Sequence, residues 1–357
     1  MYRFNISTLD LEMRFFMTVI TISKEFNKTI YTILIFLIIL LAFSNPAFGN
    51  DIGIDIINPY EEIDWNLINY YKANLHTHTR QSDGFHSPMT VVNEYRKNNY
   101  DILAITDHNK YTWPWNEYGI NYKDINITAV DGSEISNTHH LGSYFNNYAS
   151  GESFEEKVLN EIEKRDGLAL FFHPGRYNKT IKWYGYYYKK YDNLIGIEVF
   201  NKNDRYPNDR KLWDKLLFEL MPDNPVWGFG NDDMHNIATD FGWHYNIFLM
   251  IENNRTNIKN AMQNGHFYIY NPSEQKEKMQ FHIKEIKVKD PIIELSIKGN
   301  YNKIEWIAYN TISEKIEILA TGNTIDASKL IYKTNYIRAK IISNAGLIYT
   351  QPFGIRF

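Results

Sequence analysis

The stretch "YKANLHTHTRQSDGFHSPMTVVNEYRKNN", residues 71–99, decides the architecture. It opens as a strand that ends in polar residues, His76 and His78. It then turns through Ser82, Asp83 and Gly84 and enters a helix, with Ser87 as N-cap and Pro88 at the first helical position. The same form returns along the chain. "DILAITDH" (101–108), "NITAVDGSEIS" (126–136), "LALFFHPGR" (168–176), "IGIEVFN" (195–201) and "VWGFGNDDMH" (226–235) are short apolar runs, all but one of them ending in charged or ligand-type residues. "SFEEKVLNEIEKRDG" (153–167), "DRKLWDKLLFELM" (209–221) and "NRTNIKNAMQNG" (254–265) carry helical spacing between or after them. Strands alternating with helices predict an α/β protein with a parallel sheet, and in a β/α barrel the strand C-termini meet on one face.

The ends flanking this region read differently. "KTIYTILIFLIILLAFSNPAFGN" (28–50) has a basic start, an apolar run over 30–43 and a small-x-small site at Ala47–Gly49, the order of a signal peptide. The apolar run, about 14 residues, is short of the roughly 20 that span a bilayer. Residues 1–49 are therefore expected to be a leader, and the mature protein to be exported, periplasmic or extracellular, with no stable membrane association after cleavage. An uncleaved N-terminal anchor is the alternative. From about residue 276 to 357, closely spaced alternating runs with no helical pattern predict a small antiparallel β-sandwich of immunoglobulin-like type. Such a tail either buries an apolar face against the barrel as a scaffold or exposes aromatics to a glycan, for which Trp306 and Tyr309 are the candidates. Residues 50–275 form the expected catalytic domain.

Composition narrows the chemistry. The 357 residues are 44% hydrophobic and 22% charged, a globular profile, and the net charge of −4 argues against a nucleic-acid polymer as partner. There is no cysteine, hence no disulfide, thiolate ligand or lipidated cysteine. Yet strand ends collect His76, His78, Asp83, His108, Glu134, His140, His173, Asp233 and His235. A lone strand-end histidine is more often a hydrogen-bonding or core residue than a ligand. Nine together would suffer desolvation and mutual repulsion unless cations were bound. Imidazole mixed with carboxylate, without sulfur, suits Zn, Mn or Fe.

In order, "HTH", "SDG", "ITDH", "GSE", "HLG", "HP" and "DMH" resemble the motifs of the PHP (polymerase and histidinol phosphatase) superfamily, over roughly 70–270. "ENNRTNIKNAMQNGHFY" (252–268) is similar to a segment of its stand-alone members, here of an exported type. The resemblance implies a distorted (β/α)7 TIM-like barrel with two or three divalent metals. It implies one metal on His76, His78, Glu134 and Asp233, a second on Glu134, His140 and His173, and a third on Asp83, His108 and His235. The usual last motif is Gly-Ser-Asp-x-His, whereas "GNDDMH" leaves Asp232 competing with Asp233, and His139 competes similarly with His140.

Such a site favours metal-dependent hydrolysis of a phosphoester in a small phosphorylated substrate, with water as the nucleophile. Arg176, in "HPGR", is the candidate catalytic and phosphate-binding cation. "KYTWPWNEYGINY" (110–122) and "KWYGYYYKKY" (182–191) read as aromatic loops leaving the metal face, with Trp113 and Tyr186 as candidate substrate contacts. The alternatives are an exported protein that binds metal or glycan without turnover, and a metal-dependent hydrolase of a non-phosphate ester or amide.

Overall fold

The computed structural model describes residues 53–121, 125–330 and 334–357, and residues 54–357 form one compact unit. The expected leader, residues 1–49, lies outside the described residues. No helix among the described residues is long and apolar enough to cross a membrane.

The elements are β1 (Asp55–Ile57), β2 (Asn69–Asn74), α1 (Pro88–Lys97), β3 (Ile102–Ile105), β4 (Thr128–Ile135), β5 (Leu141–Tyr144), α2 (Glu155–Glu163), β6 (Leu168–Phe171), α3 (Ile181–Lys190), β7 (Leu194–Asn201), α4 (Asn208–Leu220), β8 (Trp227–Asn231), β9 (Tyr245–Met250), α5 (Arg255–Asn264) and β10 (Phe267–Pro272). The tail adds β11 (His282–Lys289), β12 (Ile292–Lys298), β13 (Lys303–Asn310), β14 (Lys315–Thr321), β15 (Thr324–Asp326), β16 (Tyr336–Ser343), β17 (Gly346–Tyr349) and β18 (Phe353–Arg356). Helix starts follow their caps. Ser87 Oγ accepts the Thr90 N–H at 3.2 Å, ahead of Pro88. Asn254 caps α5, which stops at the left-handed Gly265.

The sheet is mixed. β2, β3 and β4 run parallel, as do β6, β7 and β8, but β5 lies antiparallel between β4 and β6. Strict β/α alternation misses β5 because the link from β4 covers only residues 136–140. A parallel crossover needs about a dozen residues, so a short link returns the chain antiparallel. β9 pairs antiparallel with β2, and β10 antiparallel with β9. Side chains also link β8 to the β2 end and to β9. Asn231 Oδ1 accepts from the Leu75 N–H (3.0 Å), and Asn246 pairs with the backbone of Gly230 in both directions.

The segment 182–191, read in sequence as a loop, is instead helix α3. Ile181, Tyr184, Tyr188 and Tyr187, Tyr191 recur at helical spacing, and the four tyrosines pack into the core beside Trp213 and Leu217. Thr180 Oγ1 caps the helix by accepting from Trp183 N–H.

In the tail, β11, β12 and β15 make a three-stranded antiparallel sheet. β13, β14, β16, β17 and β18 make a second antiparallel set, which joins the barrel strands through the β10–β17 pairing. One apolar cluster includes Leu103 and Ile247 of the barrel strands with Ile283, Ile337 and Ile341 of the tail. Trp306 and Tyr309, the aromatics a glycan-binding face would need, are buried.

A buried ion pair also ties tail to barrel. The Arg338 guanidinium, on β16, meets both oxygens of Asp214 on α4 at 2.8 and 2.6 Å, and Tyr336 donates to the same carboxylate at 2.6 Å. Both charged groups are almost wholly excluded from solvent. Arg338→Met is expected to cost about 3–5 kcal/mol in urea denaturation, because it strands the Asp214 charge. Adding Asp214→Leu should recover most of the loss, whereas equal stability of the single and double variants would contradict this.

Candidate metal centre

β2 and the residues just beyond it carry the first two histidines. The Thr77 N–H faces Thr106 Oγ1, while His76 and His78 share the opposite side, their Nε2 atoms 3.1 Å apart. His78 N–H donates to the Met234 carbonyl, which brings the end of β8 alongside. The loop bearing Asp83 is drawn in by Asp107. That carboxylate accepts from Thr79 N–H, Thr79 Oγ1 and Ser82 Oγ, each at 2.7 Å, and from Thr112 Oγ1. Gly84 is required here, since a Cβ on it would lie 2.7 Å from the His78 backbone. His140, His173 and Asp233 each sit just outside a strand at positive φ (48°, 28° and 43°). Non-glycine residues rarely hold that conformation, and such strain concentrates at functional sites.

All nine sequence-predicted ligands come together in overlapping groups able to hold a cation. Asp233 Oδ1 lies 3.3 Å from His76 Nε2 and 3.2 Å from His78 Nε2. Glu134 Oε2 lies 3.3 and 3.2 Å from the same two nitrogens. Donors bonded at about 2.0–2.2 Å to one cation are separated by roughly 3.0–3.5 Å, so each carboxylate has that spacing to the histidine pair; the groups able to hold one cation are His76, His78 and Glu134, and His76, His173 and Asp233. The other oxygen of Glu134, Oε1, faces His140 Nδ1 and His173 Nε2. Glu134 thus spans two groups. Asp83 Oδ2 lies 3.4 Å from His108 Nε2 and 3.3 Å from His235 Nε2, forming a third.

The electrostatics fit cations. Burial alone would strip protons from His76, His78 and His108, yet the adjoining carboxylates outweigh it. Glu198, Asp233 and Glu134 hold His76 well above the usual range, Asp233 and Glu134 raise His78, and Asp83 and Glu134 raise His108 to about 10. Burial opposes charge on Glu134, Asp233 and Asp83 too, but the imidazoles pull all three below the usual carboxylate range.

The two ambiguous pairs separate. Asp232 turns away, accepting from Tyr95 Oη and from the N–H groups of Gly242, Trp243 and His244, while Asp233 joins the cluster. His139 Nδ1 pairs with Glu155, and His140 meets Glu134.

Arg176 closes the turn after His173 and is exposed; burial first, then the charges of His173 and Arg176, lower the His140 imidazole against the opposing pull of Glu134. Trp113 is half-buried beside Trp115. Tyr186 sits on the outer face of α3, with its hydroxyl held by Glu156 and Lys190.

Two residues escaped the sequence reading. Glu198 lies inside the buried strand β7 and contacts His76 Nδ1 at 2.8 Å; its trace was a single carboxylate within "IGIEVF". Lys202 follows that strand, with Nζ 3.9 Å from Asp233 Oδ2 and 3.4 Å from His235 Nδ1. Nothing in the residue pattern around Lys202 pointed to it.

No family model matches the chain. Over 147 residues it is 29% identical to an uncharacterized protein of Methanocaldococcus jannaschii, covering 38% of this chain and 84% of that one. Its fold is similar to that of a two-domain Bacteroides vulgatus protein containing a predicted PHP-like metal-dependent phosphoesterase. The TM-score is 0.52 at 17% identity, over 81% of this chain and 96% of the other. A Chromobacterium violaceum amidohydrolase aligns over 47% of this chain and 89% of its own, with 15% identity and a TM-score of 0.39. The architecture that gathers these nine residues is thus similar in fold to that two-domain Bacteroides vulgatus protein.

Proposed function

We propose that the chain is a metal-dependent phosphoesterase acting on a small phosphorylated substrate, with two or three divalent cations (Mn, Zn or Fe) held by the nine clustered residues. The observation that carries the reading is the spacing of His76, His78, Glu134 and Asp233, with Glu134 reaching a second group through its other oxygen. Cations held by these residues would polarise a phosphoryl oxygen and lower the pKa of water, which would supply a nucleophile without a serine or cysteine. Lys202 and Arg176 offer positive charge for the remaining phosphoryl oxygens. Export, supported by the apolar run over residues 30–43, and a scaffolding role for the tail belong to the same proposal.

The test is a panel of phosphomonoesters, phosphodiesters, carboxylic esters and amides, each with and without added metal. Turnover of phosphoesters only when metal is present supports the proposal. Turnover confined to esters or amides overturns it. Lys202→Ala should lower kcat/KM by roughly 10- to 100-fold, as expected for losing a charge-assisted hydrogen bond of about 1.5–3 kcal/mol. An unchanged kcat/KM would remove Lys202 from the substrate site.

A further inference from the structure

We infer that Glu198 and Asp209 are positioning residues that divide the turn 173–176 between two tasks. Glu198 sets the metal-facing nitrogen of His76 and the backbone of His173, and Asp209 sets the segment that presents Arg176. The inference rests on the metal-centre reading above.

Glu198 is wholly buried in a strand whose eight residues are all buried. An unpaired carboxylate there would be strongly destabilising. It meets four partners instead. Oε1 faces His76 Nδ1 at 2.8 Å and accepts from Asn231 Nδ2 at 2.9 Å, while Oε2 accepts from His173 N–H at 2.9 Å and from Asn201 Nδ2 at 3.0 Å. The Asn231 amide is oriented because its own oxygen accepts from Leu75 N–H and Asn246 Nδ2. With donors on both sides only an acceptor fits, so His76 must present Nδ1–H to Glu198. Its Nε2 lone pair then faces His78, Glu134 and Asp233. A carboxylate that fixes a ligand's tautomer in this way typically contributes 10- to 100-fold in metal affinity.

Asp209 holds the same turn from α4. It is fully buried, and its Oδ1 accepts from the Gly175 N–H at 2.5 Å. The approach is so close that a Cβ on Gly175 would sit 2.2 Å from that oxygen. Arg176 is the next residue, and Asp209 belongs to none of the cation-holding groups. Its effect should therefore appear on anion binding and not on metal binding.

The experiment uses the full chain and two probes, Zn²⁺ measured by chelator competition and inorganic phosphate titrated into the Zn-loaded protein. Glu198→Gln, which sets an amide N–H₂ against donors, is expected to weaken Zn²⁺ binding 10- to 100-fold. Asp209→Ala is expected to leave Zn²⁺ binding within about twofold of wild type while weakening phosphate binding severalfold. Asp209→Asn should restore phosphate binding, because an amide oxygen still accepts from Gly175. Wild-type Zn²⁺ affinity in Glu198→Gln, or a Zn²⁺ defect in Asp209→Ala as large as in Glu198→Gln, would overturn the division. If Glu198→Gln does not fold, ¹⁵N NMR of the Zn-loaded wild type decides its half. Nδ1–H with Nε2 metallated on His76 is expected, and metallation at Nδ1 overturns it. If Asp209→Ala does not fold, Gly175→Ala, which forces Asp209 aside, should show the same selective loss of phosphate binding; unchanged phosphate affinity there overturns that half. Both probes read without turnover, so an absence of phosphoesterase activity would count against the proposed function and not against this inference.

Discussion

Removing divalent metal is expected to abolish hydrolysis of an aryl phosphate, and Mn²⁺ or Zn²⁺ to restore it. Without cations, the neighbouring carboxylates outweigh burial and raise His76, His78 and His108, the last to about 10. Metal must displace the protons those imidazoles hold. Binding should therefore release protons, and apparent affinity should rise with pH while the imidazoles are still protonated. Chelator-treated protein, dialysed free of metal and still fully active, would refute the expectation. So would metal binding with no proton release between pH 6 and 8.

His76→Ala and Asp233→Ala should each lower kcat by about a thousandfold or more. Each removes a donor from the group of His76, His78, Glu134 and Asp233, and a lost ligand forfeits several kcal/mol of transition-state stabilisation, of which about 4 kcal/mol is a thousandfold. Both variants should stay folded at saturating metal, where bound cations would supply the positive charge that the buried carboxylates need. Asp232→Asn is the contrasting variant. Its carboxylate serves Tyr95 and three backbone N–H groups outside the cluster, so it should shift stability more than kcat. Near wild-type turnover by Asp233→Ala at saturating metal, with Asp232→Asn inactive, would reverse the roles of the two aspartates.

Much of this site could be read from residues alone because its parts lie at strand ends, where local pattern and chemistry coincide. His108 closes "DILAITDH", and Ser87-Pro88 marks the start of α1 through a cap that is wholly local. What escaped was set by distant partners. Glu198 takes its meaning from His76, His173, Asn201 and Asn231, contributed largely by other strands. Helix α3 was hidden by composition. Its tyrosines look like a loop in a Tyr-rich chain, and only packing against Trp213 and Leu217 shows that four of them form a buried face. β5 was obscured by a short link that reverses the chain, and the β10–β17 pairing depends on contacts across more than 70 residues of sequence. His140, His173 and Asp233 were chosen by residue type, while their positive φ is a property of the folded backbone.

The most direct measurement is anomalous diffraction at the metal edge from a crystal of the full chain grown with Mn²⁺ or Zn²⁺. The account predicts a peak among His76 Nε2, His78 Nε2, Glu134 Oε2 and Asp233 Oδ1, and a second beside Glu134 Oε1 with His140 and His173. No peak within bonding distance of those atoms at saturating metal would contradict it.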